Sequence, residues 1–191
     1  MSAGSSGTVV RPALLLRVCV ACQPRSRRLA KTFHLRLLLA GQDDLICEVR
    51  KPEADRLKQV LGREEGADCF FWFDTIDGRS ILVNTAYLQG VRYLWDVAAA
   101  PPDSRISADD NMNIALCGKE LLSEPLSEDP KNVYNLFWEL ELGPTAAVTF
   151  IDGDGEPFTL ISRQVVYITA PKQVVDEGRR QVNEEDGLGD N

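Results

Sequence analysis

Shifted against itself by 77 residues (118 − 41), the chain brings its turn glycines and apolar positions into register without a gap. Gly41 meets Gly118, Gly66 meets Gly143, and Asp77-Gly78 meets Asp154-Gly155. Leu35, Leu37 and Leu39 meet Met112, Ile114 and Leu116, and Leu45 and Val49 meet Leu122 and Leu126. Val60, Phe73, Ile81, Val83, Leu88 and Val91 meet Phe137, Phe150, Phe158, Leu160, Val165 and Ile168. Few of these pairs are identical, so the weight rests on glycines and apolar parity agreeing together. A repeat of this kind constrains the fold before any other feature does, because each copy must then form the same supersecondary unit.

Within the first copy, Leu35, Leu37 and Leu39 alternate with His34, Arg36 and Leu38, the pattern of a half-buried strand. Gly41 to Asp44 turns the chain, and Leu45 to Arg50 returns as its hairpin partner. Pro52 suits the first turn of a helix, where its missing N–H costs nothing. Ala54, Leu57, Val60 and Leu61 follow at helical spacing, with Glu53, Asp55, Arg56, Lys58 and Gln59 on the wet face. In the second copy Asp129-Pro130 supplies an N-cap and a proline, and Val133, Leu136, Phe137 and Leu140 form the stripe. Both helices are expected to stop before a glycine, Gly66 or Gly143. Three strands complete each copy, in the first Cys69 to Thr75, Ser80 to Asn84 and Leu88 to Trp95, in the second beginning with Ala147 to Ile151 and Phe158 to Ile161. Each copy's Asp-Gly turn needs a positive φ, which marks a hairpin. Phe70 to Phe73 is apolar on both parities, which predicts a central strand with a helix over one side.

The expected fold is α+β: a tandem duplication of a β-β-α-β-β-β unit packed as a pseudo-two-fold pair, with mainly antiparallel sheets and one helix per unit. A unit this short buries a marginal core by itself, which favours pairing. The boundaries are a basic, flexible extension over 1–30, a first repeat over 31–97, a linker over 98–110, a second repeat over 111–172 and an acidic flexible tail over 173–191. The linker reading rests on Pro101-Pro102 and the absence of periodicity. The tail reading rests on six acids over residues 176–191.

Charge is uneven. Residues 1–42 hold seven Lys or Arg and no acid, while the remainder sets 14 basic residues against all 29 acids. Such a body repels nucleic-acid phosphate and anionic membranes, so nucleic acid is an expected partner only through residues 1–36. No run approaches the roughly 18 apolar residues that span a bilayer; a soluble, cytoplasmic protein is expected. Three readings fit residues 1–30: a non-essential extension, a mis-assigned upstream start being one origin, an organelle-targeting peptide, or a basic arm for nucleic acid. Cys19, Cys22, Cys47, Cys69 and Cys117 are odd in number and scattered, as reduced thiols are. Cys19-x-x-Cys22 has no second ligand pair for zinc, and Pro24 with its arginines follows where a redox motif would start a helix.

No chemical constellation emerges. Asp152-Gly153-Asp154-Gly155-Glu156 resembles the start of a calcium loop, but Pro157 and Arg163 stand at its sixth and twelfth places, so it reads as a hairpin turn. His34, the lone histidine, lies on the polar parity of its strand with nothing to serve as a base for. Trp72, Trp95, Trp138, Phe70, Tyr87 and Tyr93 lack the interleaved Lys and Arg of a base-stacking platform and read as packing. No catalytic, cofactor-binding or metal residue is therefore expected, and no cofactor. The expectation is a non-enzymatic interaction or regulatory module, monomeric or homodimeric, that binds a protein or small ligand through strand edges or the groove between repeats. The alternatives are a nucleic-acid binder led by its arm and an enzyme whose site the sequence does not display.

Overall fold

Alternating burial starts the fold. In β1 (Thr32–Leu39) Phe33, Leu35, Leu37 and Leu39 are buried while the residues between them are partly exposed. The computed structural model describes residues 32–62, 69–94, 110–143 and 145–187. The extension, Cys19 and Cys22, Gly66, Trp95 and almost all of the linker lie outside them. After β1 come β2 (Leu45–Arg50), α1 (Lys51–Leu61), β3 (Phe70–Asp74), β4 (Arg79–Asn84) and β5 (Leu88–Leu94). Then follow β6 (Met112–Leu116), β7 (Leu122–Glu124), α2 (Pro130–Leu142), β8 (Ala147–Ile151), β9 (Pro157–Ile161), β10 (Val165–Pro171) and α3 (Lys172–Glu185).

The protein is mixed α+β, and its ladders are antiparallel. The strands form a three-stranded sheet β2-β1-β5, a five-stranded sheet β3-β4-β10-β6-β7 and the hairpin β8-β9. The five-stranded sheet is the middle layer. One face carries Phe71, Phe73, Ile81, Val83, Ala115 and Val166 into a core shared with β1, β2 and α1. The opposite face carries Trp72, Leu82, Met112, Ile114, Ile168 and Ala170 into a core shared with α2, Val175 of α3, and Val148, Phe150 and Leu160 of the hairpin. Alternate side chains of single strands thus feed two cores, as the two-residue period of a strand requires.

Four expectations need correction. The run Phe70–Phe73 is not a central strand: β3 is the outermost strand of its sheet, and β10 holds the centre. Its two apolar parities serve two cores. Its free edge is covered by side chains, with the Trp72 N–H donated to Glu141 Oε1 at 3.4 Å and the Trp72 carbonyl accepting from Arg56 Nη2 at 3.4 Å. Backbone groups of an exposed edge would otherwise invite pairing with another chain. α1 ends at Leu61 with Gly62 as its cap, ahead of Gly66; α2 does stop before Gly143.

Residues 172–185 form α3, so the acidic tail contains a helix and the second half carries two. Val174, Val175, Gly178 and Val182 recur at helical spacing toward the protein, and the acids sit on the wet face, where Arg180 pairs with Glu177 and Glu184. Gly178 is where α3 meets α2: a Cβ there would lie 2.3 Å from the Pro130 carbonyl oxygen. Finally, the halves do not exchange equal contacts as a two-fold pair would. β4 pairs with β10, whereas β5 pairs only with β1 and β9 only with β8 among the described residues.

Candidate functional site

The open ends of the hairpins β3–β4 and β8–β9 face each other across a cavity of about 630 Å3. Cys69, Phe70, Asn84, Ala86 and Tyr87 line one side, Ala146, Ala147, Ile161, Ser162 and Arg163 the other, and the end of α2 closes it with Leu140 and Glu141. The size falls in the range of small-molecule sites, and the walls are largely apolar.

Local structure fixes the polar groups on the first side. Thr85 opens a 3₁₀ turn, and its hydroxyl donates to the Cys69 carbonyl at 2.8 Å and accepts from the Cys69 N–H at 3.1 Å. Asn84 caps the same turn, accepting from the Ala86 N–H at 3.0 Å while its amide donates to the Val165 carbonyl at 3.0 Å. On the second side Ser162 opens the corresponding turn, and its N–H reaches the Ala146 carbonyl at 3.2 Å. The Ser162 hydroxyl is different. It is buried and has no hydrogen-bond partner among the described residues. A buried hydroxyl left this way carries a desolvation penalty of about 1–3 kcal/mol.

Glu141 stands at the rim. Burial raises its pKa, and the Trp72 N–H with the Arg56 and Arg179 guanidinium groups offsets part of that rise. On its far side a charged cleft of about 410 Å3 runs between α1, β3, α2 and α3. Its groups are already engaged: Arg56 with Glu53 at 2.9 Å, and the Arg179 guanidinium 4.7 Å from the Trp72 ring centre. The apolar cavity, with its unengaged hydroxyl, is the better candidate.

The residues singled out in the sequence fall elsewhere. His34 Nε2 lies 3.8 Å from Glu48 Oε2 on the neighbouring strand. Asp152 Oδ1 accepts from the N–H groups of Asp154 and Glu156 at 3.0 and 2.9 Å, so that carboxylate holds the turn together. Trp72 packs edge-on against Tyr134 and Phe137, and Trp138 stacks on Tyr134. Phe70 and Tyr87 do reach the cavity wall. Ser162 was missed, because a serine after a strand carries no signal of its own. Only its alignment with Thr85 at the 77-residue shift (162 − 85) points to it. No helix among the described residues is long and apolar enough to cross a membrane. No protein-family model, curated protein or solved structure matches the chain.

Proposed function

We propose that the chain is a duplicated, non-enzymatic binding module that holds a small, neutral, largely apolar ligand in the cavity between its hairpins. The observation that carries this reading is the largely apolar cavity of about 630 Å3 between the open ends of the two hairpins, with the unpartnered Ser162 hydroxyl buried behind its wall. That hydroxyl has no base within bonding distance, and the neighbouring polar groups are tied into the two turns. Such an arrangement suits recognition; a nucleophile would need an activating partner.

Agreement of the ladders at one shift supports the duplication. Leu37 faces Leu45 as Ile114 faces Leu122, and Phe73 faces Ile81 as Phe150 faces Phe158. The irregularity that takes Leu38–Gly90 to Leu39–Leu88 recurs as Ala115–Tyr167 to Leu116–Val165. Gly78 and Gly155 take φ 89° and 83° in their Asp-Gly turns. The 3₁₀ turns opened by Thr85 and Ser162, likewise 77 residues apart (162 − 85), stand on the two sides of the cavity.

N-phenyl-1-naphthylamine, a neutral apolar fluorophore, tests the reading. Saturable one-to-one binding is expected, lost in Ala86→Trp and in Ala147→Trp, which fill the cavity from exposed wall positions. Absence of saturable binding, or binding indifferent to both substitutions, would sink it.

A further inference from the structure

The junction between the halves has two partners: the edge of hairpin β3–β4 and the edge strand of the sheet β10-β6-β7. β4 meets β10 with Leu82 opposite Ile168 and Ile81 opposite Thr169. At the 77-residue shift (159 − 82) each partner has a counterpart. The counterpart of the hairpin is β8–β9, whose outer strand β9 pairs with nothing beyond β8 among the described residues; that of the sheet is β2-β1-β5, whose edge strand β5 is likewise open.

Burial records what is missing. Phe137, Val165, Ile168 and Ala170, which the docked first hairpin helps to cover, are all 0% exposed. Their counterparts Val60, Leu88, Val91 and Tyr93 are only partly buried at the margin of the first core. On the hairpin side, Trp72 and Leu82 are buried at 6% and 0%, whereas their counterparts Thr149 and Thr159 are exposed. The outer face of β8–β9, made of Ala147, Thr149, Ile151, Pro157, Thr159 and Ile161, carries no charge at all. In a chain of net charge −8 this is a surface suited to burial.

We infer that a second copy of this chain occupies the open edge: β9 of one copy pairs antiparallel with β5 of the next, repeating between chains the β4–β10 junction within a chain. The inference rests on the duplication proposed above; the face it covers shares Ala147 and Ile161 with the cavity wall. The internal register transfers directly, placing Thr159 opposite Val91 of the neighbour and Leu160 opposite Gly90. Pro157 opens β9 and has no N–H to give, so the ladder depends on the residues after it, as at other strand ends that begin with proline. The contact is heterologous. Each copy offers one hairpin and one sheet edge, so copies join head to tail.

Sedimentation velocity and covalent trapping test this on the full chain. The mass of the unaltered protein is expected to rise with concentration from 21.2 kDa to at least twice that value. Thr159→Lys, an exposed change that also lowers the negative charge, is expected to hold it at the monomer mass. With Cys19, Cys22, Cys69 and Cys117 replaced by serine, a mixture of Val91→Cys and Thr159→Cys chains is expected to form an interchain disulfide. Val91→Cys with Thr149→Cys, on the strand one further out, is not. A monomer at every concentration overturns the inference, as does association that survives Thr159→Lys or trapping that favours Thr149. The naphthylamine titration repeated on the Thr159→Lys variant separates this failure from failure of the ligand reading.

Discussion

Hairpins β3–β4 and β8–β9 have ladders of the same length and opposite surroundings. The first lies between two cores, and its strands carry Phe71 and Phe73 to one and Trp72 and Leu82 to the other. The second sends Val148, Phe150 and Leu160 inward and turns Thr149 and Thr159 outward, where their hydroxyls bond each other at 2.8 Å. A strand's apolar parity thus reports how many of its faces are covered and says nothing about how many strands flank it. β3 is apolar on both faces and still an edge.

The sharpest way to break that contrast is to truncate matched positions. Trp72→Ala is expected to cost about 3–5 kcal/mol, as buried aromatic truncations do, whereas Thr149→Ala stays within about 0.5 kcal/mol. Urea midpoints of the two variants measure the difference, and equal shifts would show that both hairpins are covered alike. Next comes α3, an element with no counterpart among the described residues of the first half. Gly178→Ala forces a methyl group against Pro130, and about 1–3 kcal/mol of overpacking cost is expected in the thermal or urea transition.

The two helices that follow the first hairpin of each half extend the comparison. Asp129 caps α2 by accepting from the Lys131 N–H at 3.0 Å, while Arg50 precedes α1 with no side-chain cap. Asp129→Ala is therefore expected to lower stability by about 1 kcal/mol, and Arg50→Ala to leave it within about 0.5 kcal/mol; calorimetry of both decides. The smallest effect concerns Glu141. Its pKa is raised in the folded protein by burial, so the fold binds its proton more tightly than the unfolded chain does. That contribution is present below the ordinary carboxylate value and is lost as pH climbs to the raised one. Glu141→Gln, which keeps an oxygen for the Trp72 N–H, should flatten the stability profile across that window and stabilise slightly above it. A profile unchanged by the substitution would show that Arg56 and Arg179 cancel the burial.

Much of the architecture was legible locally. Alternation in β1, the Asp-Gly turns and the Asp129-Pro130 start of α2 are written in adjacent residues, where strand parity and capping chemistry act. The edge position of β3 and the docking of α3 were not legible. Both depend on which distant surface covers a residue. The acids of residues 176–186 masked a helix whose stripe is only three valines and a glycine. The cavity was least legible, since it arises where two turns far apart in sequence meet.

Cys47 adds a clock to this molecule. It is the buried thiol among the described cysteines, its sulfur facing the Leu35 carbonyl, and burial pushes its pKa well above that of a free thiol. The residue 77 positions further on is Glu124, and the cysteine among the described residues of the second half, Cys117, is exposed. A disulfide reagent can reach Cys47 only when β1 and β2 part, and its labelling rate therefore times the opening of one core separately from the other. Two layers that share a middle sheet can then be asked, from a single native side chain, whether they open together or one at a time.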